Sequence, residues 1–197
     1  MKLCWSAPER NKGPILEVLE RVLPKQGTVL EIASGTGQHV IHFAQHLPAL
    51  TFIPSDIDES NLESIRAWLA EAGLPNVLPP LRLDVTSEDW AAGEVNAIVN
   101  ANMIHISPWE CTEGLLAGAE RYLSARGVLA LYGPFRINGE HTAPSNAEFD
   151  ADLKRRDARW GVRDLETVVA LAHEHGLHFT ERVAMPANNQ TLVFRRD

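Results

Sequence analysis

An α/β fold is predicted for this chain of 197 residues: a mainly parallel seven-stranded sheet, helices on both faces, closed by an antiparallel C-terminal hairpin. Three observations predict it. Strand-like and helix-like stretches alternate, as βαβ units require. The first apolar strand runs straight into a glycine-bearing turn, Ser34-Gly35-Thr36-Gly37, after which a helix can begin. The last two strand-like runs are joined by Pro186-Ala187-Asn188-Asn189, too short for a crossover helix, so they must pair antiparallel.

Each element follows from its pattern. Ile15, Leu16, Val18, Leu19, Val22 and Leu23 recur at helical spacing before Pro24, giving an amphipathic helix. The first strand is Thr28-Ile32, and the helix after Gly37 carries Val40, Ile41, Phe43, Ala44 and Leu47 as far as Pro48. Thr51-Ile53 starts a second strand that reaches Asp56; Ser60 then caps a helix to Gly73, with Glu63 completing a capping box. Val77-Leu83 reads as a third strand whose entry is weakened by Pro79 and Pro80. Val95-Asn100 is the fourth strand, Thr112-Leu123 a helix, and Arg126-Gly127 turns into a fifth strand, Val128-Tyr132. From Gly133 to Gly161 the alternation breaks down around a short helix, Ala147-Arg159. Asp164-His175 is helical with Gly176 as its C-cap, and His178-Ala184 and Thr191-Arg195 form the closing hairpin.

Ligands of doubly wound sheets lie beyond the C-terminal strand ends, at the switch point. In order these ends carry Glu31 and Ser34 to Gly37, then Asp56-Ile57, Asp84-Val85 and Asn100-Ala101-Asn102. Glu31 at the tip of the turn would repel a pyrophosphate and attract a ligand bearing an ammonium and a sulfonium. The segment resembles the acid-x-Gly-x-Gly-x-Gly element of the Rossmann-like, class I S-adenosylmethionine-dependent methyltransferases, through Glu31, Ala33, Gly35 and Gly37, with alanine where the first glycine is usual. The resemblance implies S-adenosylmethionine as cofactor and a sheet closed by an antiparallel hairpin. Asp56 would accept the ribose hydroxyls, its charge strengthening each bond, and Ile57 would pack on adenine. Asp84 would accept the adenine amino proton, the Val85 N–H would donate to a ring nitrogen, and Asn102 or the Asn100 carbonyl would receive the methionine ammonium.

Beyond these elements the chain resembles bacterial methyltransferase-like proteins related to the eukaryotic methyltransferase-like protein twenty-six. The strings that carry this are Glu9-Arg10-Asn11-Lys12-Gly13-Pro14-Ile15, Ala101 through Trp109, and Ser145-Asn146 with Phe149-Asp150, Arg156-Asp157 and Trp160 through Asp164. An N-terminal segment would bring Arg10 and Asn11 to the cofactor, Arg10 meeting its carboxylate. Residues 133–161 would cover the acceptor, lined by Tyr132, Phe135, Arg136, Asn146, Asp150, Arg156, Asp157 and Trp160, with Trp109 beside them. Ion pairing within a surface helix explains Asp152, Arg155, Arg156 and Arg159 equally well.

Methyl transfer is an in-line displacement in which an enzyme chiefly supplies alignment, so a base is optional. His105, just past the fourth strand, is the candidate base for a protonated nucleophile; a histidine bonding a loop carbonyl is its structural alternative. The Asn-Pro-Pro-Tyr string of nucleic-acid amino methyltransferases is replaced by Asn100-Ala101-Asn102-Met103. An NAD-dependent short-chain-type oxidoreductase is the alternative: Gly35-Thr36-Gly37 and a later acid partly fit its fingerprint, but Val40 stands at the third glycine and neither Tyr122 nor Tyr132 has a lysine four residues on. A non-catalytic cofactor-binding module is the other. His42 and His46 lack the zinc-protease glutamate, and His173, His175 and His178 straddle a helix end, so no metal is expected.

The bulk numbers agree with a single domain acting on a small molecule. The length suits one core without staples. With 26 acidic against 18 basic residues, a net charge of −8 and no long cationic run, counterion-release binding to a nucleic-acid backbone has no cluster to work with. Cys4 and Cys111 form no CxxC pair, no signal peptide is apparent, and no apolar run approaches the ~20 residues of a membrane span. A cytoplasmic protein is expected; oligomeric state is not legible.

Overall fold

The computed structural model describes residues 1–197. Seven strands form one sheet in the order β3-β2-β1-β4-β5-β7-β6. They are β1 (Gly27–Ile32), β2 (Leu50–Asp56), β3 (Leu81–Arg82), β4 (Val95–Ala101), β5 (Leu123–Gly133), β6 (Leu177–Met185) and β7 (Asn189–Arg196). All pairs from β3 to β5 are parallel, and β7 runs antiparallel to both β5 and β6. The expected α/β sheet and its antiparallel closure are therefore present.

Alternation along β1 divides the core in two. Val29 faces one layer, with α1 (Ser6–Val22), α2 (Gln38–His46) and the C-terminal half of α3 (Glu59–Ala72). Leu30 and Ile32 face the other, where α4 (Trp109–Tyr122) and α6 (Leu165–Glu174) pack. The central strands are apolar on both sides, as burial between two helical layers demands. The remaining helix, α5 (Pro144–Arg156), lies in the stretch where the alternation fails.

Several boundaries differ from the sequence reading for identifiable reasons. α1 starts at Ser6 and carries Pro14 in its interior; proline deprives the Arg10 carbonyl of its helical donor but leaves the upstream turns possible. The N-cap of α3 is Asp58, whose carboxylate accepts from the Ser60 N–H at 2.7 Å, so the capping box expected from Ser60 and Glu63 does not form. β3 shrinks to two residues because Pro79 and Pro80 offer no N–H; Val77 makes only an isolated bridge to Phe52. α5 begins three residues early, with Pro144 in its first turn, a position proline favours, and ends before Arg159. Arg126 adopts φ +62° within a β5 that starts at Leu123 rather than at Val128.

Candidate functional site

The chain leaves β1 toward β2 and leaves β4 toward β5, in opposite directions across the sheet. The C-terminal ends of β1 and β4 therefore form the switch point where open α/β sheets take ligands. Asn100 spans it, its Nδ2 donating to the Ile32 carbonyl at 2.9 Å.

The turn after β1 holds three left-handed residues in five: Ala33 at φ 55°, Gly35 at 56° and Gly37 at 94°. A Cβ on Gly37 would come within 3.2 Å of Ile65 in α3, so glycine lets that helix approach. The turn is lashed to β2: Ser34 N–H donates to the Ser55 carbonyl, Ser55 N–H to Ser34 Oγ, and Gly35 N–H to Asp56 Oδ2 at 2.9 Å. Asp56 Oδ1 accepts from Asp58 N–H and Asn61 Nδ2. These three bonds occupy all but one of the carboxylate's roughly four acceptor positions. Asp56 thus organises the turn itself and retains about one position for a ligand hydroxyl.

Glu31 is buried at the end of β1, and its Oε2 has no hydrogen-bond partner. Desolvation pushes its pKa up to about 8, against a lowering bond with Ser34 and with a further raise from Asp56. It borders a small cavity of about 10 Å³ together with His39, Ala101, Tyr132 and Thr191, whose hydroxyl is also unpartnered. An acid kept without an ion partner in a core is costly unless neutral or met by a cation. Glu31 suits either state.

An N-terminal strap covers the turn. Leu3 N–H donates to Ser64 Oγ, Trp68 Nε1 to the Leu3 carbonyl, and the Trp5 indole packs against Gly35. Gln38 binds the strap down: its Oε1 accepts from Trp5 N–H and Thr36 Oγ1, and its Nε2 donates to the Trp5 carbonyl and to Glu9. Sequence reasoning passed over Gln38, although it closes the glycine turn's own string.

The strand ends open into two hollows rather than one crevice. A shallow one of about 630 Å³ is lined by Ile57, Asp84 and Thr86 with residues of α4. Asp84 Oδ1 accepts from Thr86 N–H and Oγ1, and Gly114 of α4 lies so close to the Val85 carbonyl that a Cβ would reach 2.4 Å. The second, about 530 Å³, has walls from four places: Arg10, Asn11 and Pro14 of α1; Asn102 and Tyr132 at the ends of β4 and β5; Asn146 and Phe149 of α5; and Ala187 and Asn189 of the β6–β7 link. Asn102, Ala187 and Asn188 all have positive φ, a concentration of strained backbone of the kind found at ligand sites. Arg10, Asn11 and Asn102, expected at a cofactor, and Tyr132 and Asn146, expected at an acceptor, thus line one hollow, while Glu31, Ser34 to Gly37 and Asp56 border neither.

The other expected acceptor residues lie elsewhere. Phe135 is in the core with its ring 4.7 Å from that of His105. Trp109, Arg136 and Trp160 border a third, smaller groove, where Arg136 pairs with Asp164 at 2.8 Å. Arg156 is exposed and stacks over Trp160. Asp150 is buried; desolvation raises its pKa, but Lys154 and the Val162 N–H outweigh that and lower it.

His105 is fully buried in the short 3-10 turn that follows β4. Its Nδ1 accepts from Arg163 N–H at 3.1 Å, its carbonyl accepts from Gly161 N–H, and its Nε2 is unpartnered behind Gly133, where a Cβ would reach it at 2.2 Å. Desolvation, helped by Arg163, pushes its pKa down to about 3. His105 therefore holds the residue 161–163 segment against the loop after β4. Arg163, absent from the expected site, completes that seam by donating to the Ile104 and Ser107 carbonyls. Its only sequence signal is its place in the Trp160-to-Asp164 string. The metal candidates have ordinary partners: His46 bonds the His42 carbonyl, His175 Glu120, and His178 Asp197.

The family model described as "Protein of unknown function (DUF938)" matches residues 2–196. Among solved structures, an O-methyltransferase family protein from Burkholderia thailandensis superposes with a TM-score of 0.82 at 16% identity, over 97% of this chain and 57% of its own. CalO1, a methyltransferase in calicheamicin biosynthesis solved in its S-adenosylhomocysteine-bound form, gives 0.78 at 18%, over 97% and 55%. An O-methyltransferase family 2 protein from Planctomyces limnophilus, in complex with apigenin, gives 0.77 at 18%, over 97% and 60%. At these identities the likeness is one of fold, and the chain spans just over half the length of the solved structures it matches.

Proposed function

The chain belongs to the DUF938 family of proteins of unknown function, and starting from that membership we propose that it is an S-adenosylmethionine-dependent methyltransferase transferring a methyl group in line to a small molecule. The observation that carries this reading is Glu31: a buried carboxyl at the switch point with one oxygen unpartnered, beside a glycine turn bound to Asp56. A cation is the ligand such a group favours. The fold shared with methyltransferase structures supports the same reading.

In this reading Glu31 and Asn102 receive the cofactor's ammonium and Asn11 its carboxylate end, while Arg10, expected from the sequence at that carboxylate, is left facing the acceptor in the second hollow. The last acceptor position of Asp56 takes a ribose hydroxyl, and Ile57, Asp84 and Val85 hold the adenine. When bound, the cofactor supplies a methyl made electrophilic by its sulfonium. The chain's own contribution is alignment, which can be worth roughly 7–11 kcal/mol when two reactants are held in attack geometry. Residues 133–161 cover the acceptor, and His105 positions that cover through Arg163 and Gly161. We extend the proposal to a single domain in the reducing cytoplasm, in keeping with two free cysteines and no helix long and apolar enough to cross a membrane. The kinship with methyltransferase-like protein twenty-six belongs to the same proposal.

Calorimetry with S-adenosylhomocysteine tests it. The wild-type protein should bind, and Asp56→Ala should weaken binding about 10- to 150-fold, the equivalent of a charge-assisted bond of roughly 1.5–3 kcal/mol. Absence of binding, or full affinity in Asp56→Ala, refutes the site.

A further inference from the structure

The hollow of about 530 Å³ bounded by α1, α5 and the β6–β7 link differs in charge from the rest of the molecule. The protein carries a net charge of −8, yet no Asp, Glu, His, Lys or Cys side chain lines this cleft; Arg10 is its single charge. Its other polar groups are neutral: four asparagines, Ser145 and the Tyr132 hydroxyl. Burial raises the Tyr132 pKa, only partly offset by its bond to Asn11, so the hydroxyl stays protonated. The two histidines behind these walls have no lone pair free toward the cleft: His39 Nε2 pairs with Asn11 Oδ1 at 2.7 Å, and His105 Nδ1 accepts from the Arg163 N–H, which leaves its unpartnered Nε2 carrying the ring proton.

Two consequences follow for anything methylated here. A cationic amine would find no counter-charge in the cleft, whereas an anion would find the Arg10 guanidinium. A neutral alcohol would have to shed its proton during attack, and no group on these walls can take it. Resting on the methyltransferase reading above, we propose that the acceptor is a small molecule whose nucleophile is already an anion at neutral pH: a carboxylate, an acidic phenolate or enolate, or a thiolate. A lone pair of that anion forms the bond to the methyl carbon as the carbon–sulfur bond breaks, its electrons passing to sulfur. The sulfonium becomes the neutral thioether S-adenosylhomocysteine, the acceptor loses its negative charge, and no proton has to move.

The test uses ring probes of similar size at pH 8 on the full chain saturated with S-adenosylhomocysteine: benzoate, 4-nitrophenolate and thiophenolate against benzyl alcohol and benzylammonium. Calorimetry should show the anions binding at least ~10-fold more tightly, the scale expected of one charge contact in a partly solvated site. With S-adenosylmethionine in place of its product, release of S-adenosylhomocysteine should occur with the anionic nucleophiles alone. Ser145 is exposed in the first turn of α5, so Ser145→Glu adds an acid to the cleft without disturbing the core. It should abolish the preference for anions, while Ser145→Gln should keep it. Equal or tighter binding of benzylammonium, methylation of benzyl alcohol or benzylamine at rates matching the anions, or no binding of any anion overturns the proposal. Failure of S-adenosylhomocysteine itself to bind would instead refute the underlying methyltransferase reading, and the anion preference would still be measured on the protein alone.

Discussion

Glu31, His39 and His105 set opposing pH dependences of stability. Desolvation raises the Glu31 pKa from 4.5 to about 8, so the folded chain keeps a proton that the unfolded chain loses. Its contribution is fully present below pH 4.5 and is lost as pH rises through about 8. Burial lowers His39 and His105 from 6.5 to about 4 and about 3; their contribution is present above 6.5 and is lost as pH falls through those values. Thermal melts should therefore be highest near pH 6.5, and Glu31→Gln should flatten the alkaline decline; a wild-type profile that keeps rising to pH 8 would contradict the assignment. Ala33 gives a second expectation. A left-handed alanine costs roughly 1–2 kcal/mol, so Ala33→Gly should lose nothing in chemical denaturation and gain up to about 1 kcal/mol, the unfolded chain's extra freedom offsetting part. At this scale the sequence disclosed which residues stand at the strand ends, because a carboxylate or glycine there has a chemical signature. It did not disclose that Asp56 spends most of its acceptor capacity on the chain itself. Nor did it show His105 sealed behind Gly133, because both depend on contacts made across the sheet.

The strap from Leu3 to Trp5 is the element most exposed to a ligand at the glycine turn. Trp5 packs against Gly35 while leaving half of its surface in solvent. Binding of S-adenosylhomocysteine should change the emission of Trp5, read as the difference between the wild-type titration and the same titration of Trp5→Phe; an identical signal in both would place the ligand away from the strap. α4 offers a packing test. A Cβ on Gly118 would meet the Trp90 ring at 1.9 Å, so Gly118→Ala should destabilise by about 1–3 kcal/mol in urea unfolding, the cost of overpacking a filled core. Most helices and strands were legible because apolar periodicity records which face is buried. The failures occur where local and tertiary signals conflict: the apolar spacing begins only at Ile15, although Gln38 secures the helical turns before it, and Val77 is strand-like beside two prolines that cannot join a ladder.

The two core layers share every central strand, so neither can be lost while the other persists. Urea unfolding followed by tryptophan fluorescence and by far-UV circular dichroism should give coincident transitions, whereas separated midpoints would show two independent units. The α/β class and its antiparallel closure were readable because a short link between strands leaves only one geometry. The division of the strand ends into two hollows was not, since it arises where α1, α5 and the β6–β7 link meet across long sequence separations. β7 has one more implication. It lies between β5 and β6, although it follows both in the chain. During synthesis the ribosome must therefore deliver residues 189–196 before β5 gains its second neighbour, and Asn189 reaches its place in the cleft wall only then. A nascent chain halted short of β7 would leave the β5 edge open to pairing with another polypeptide.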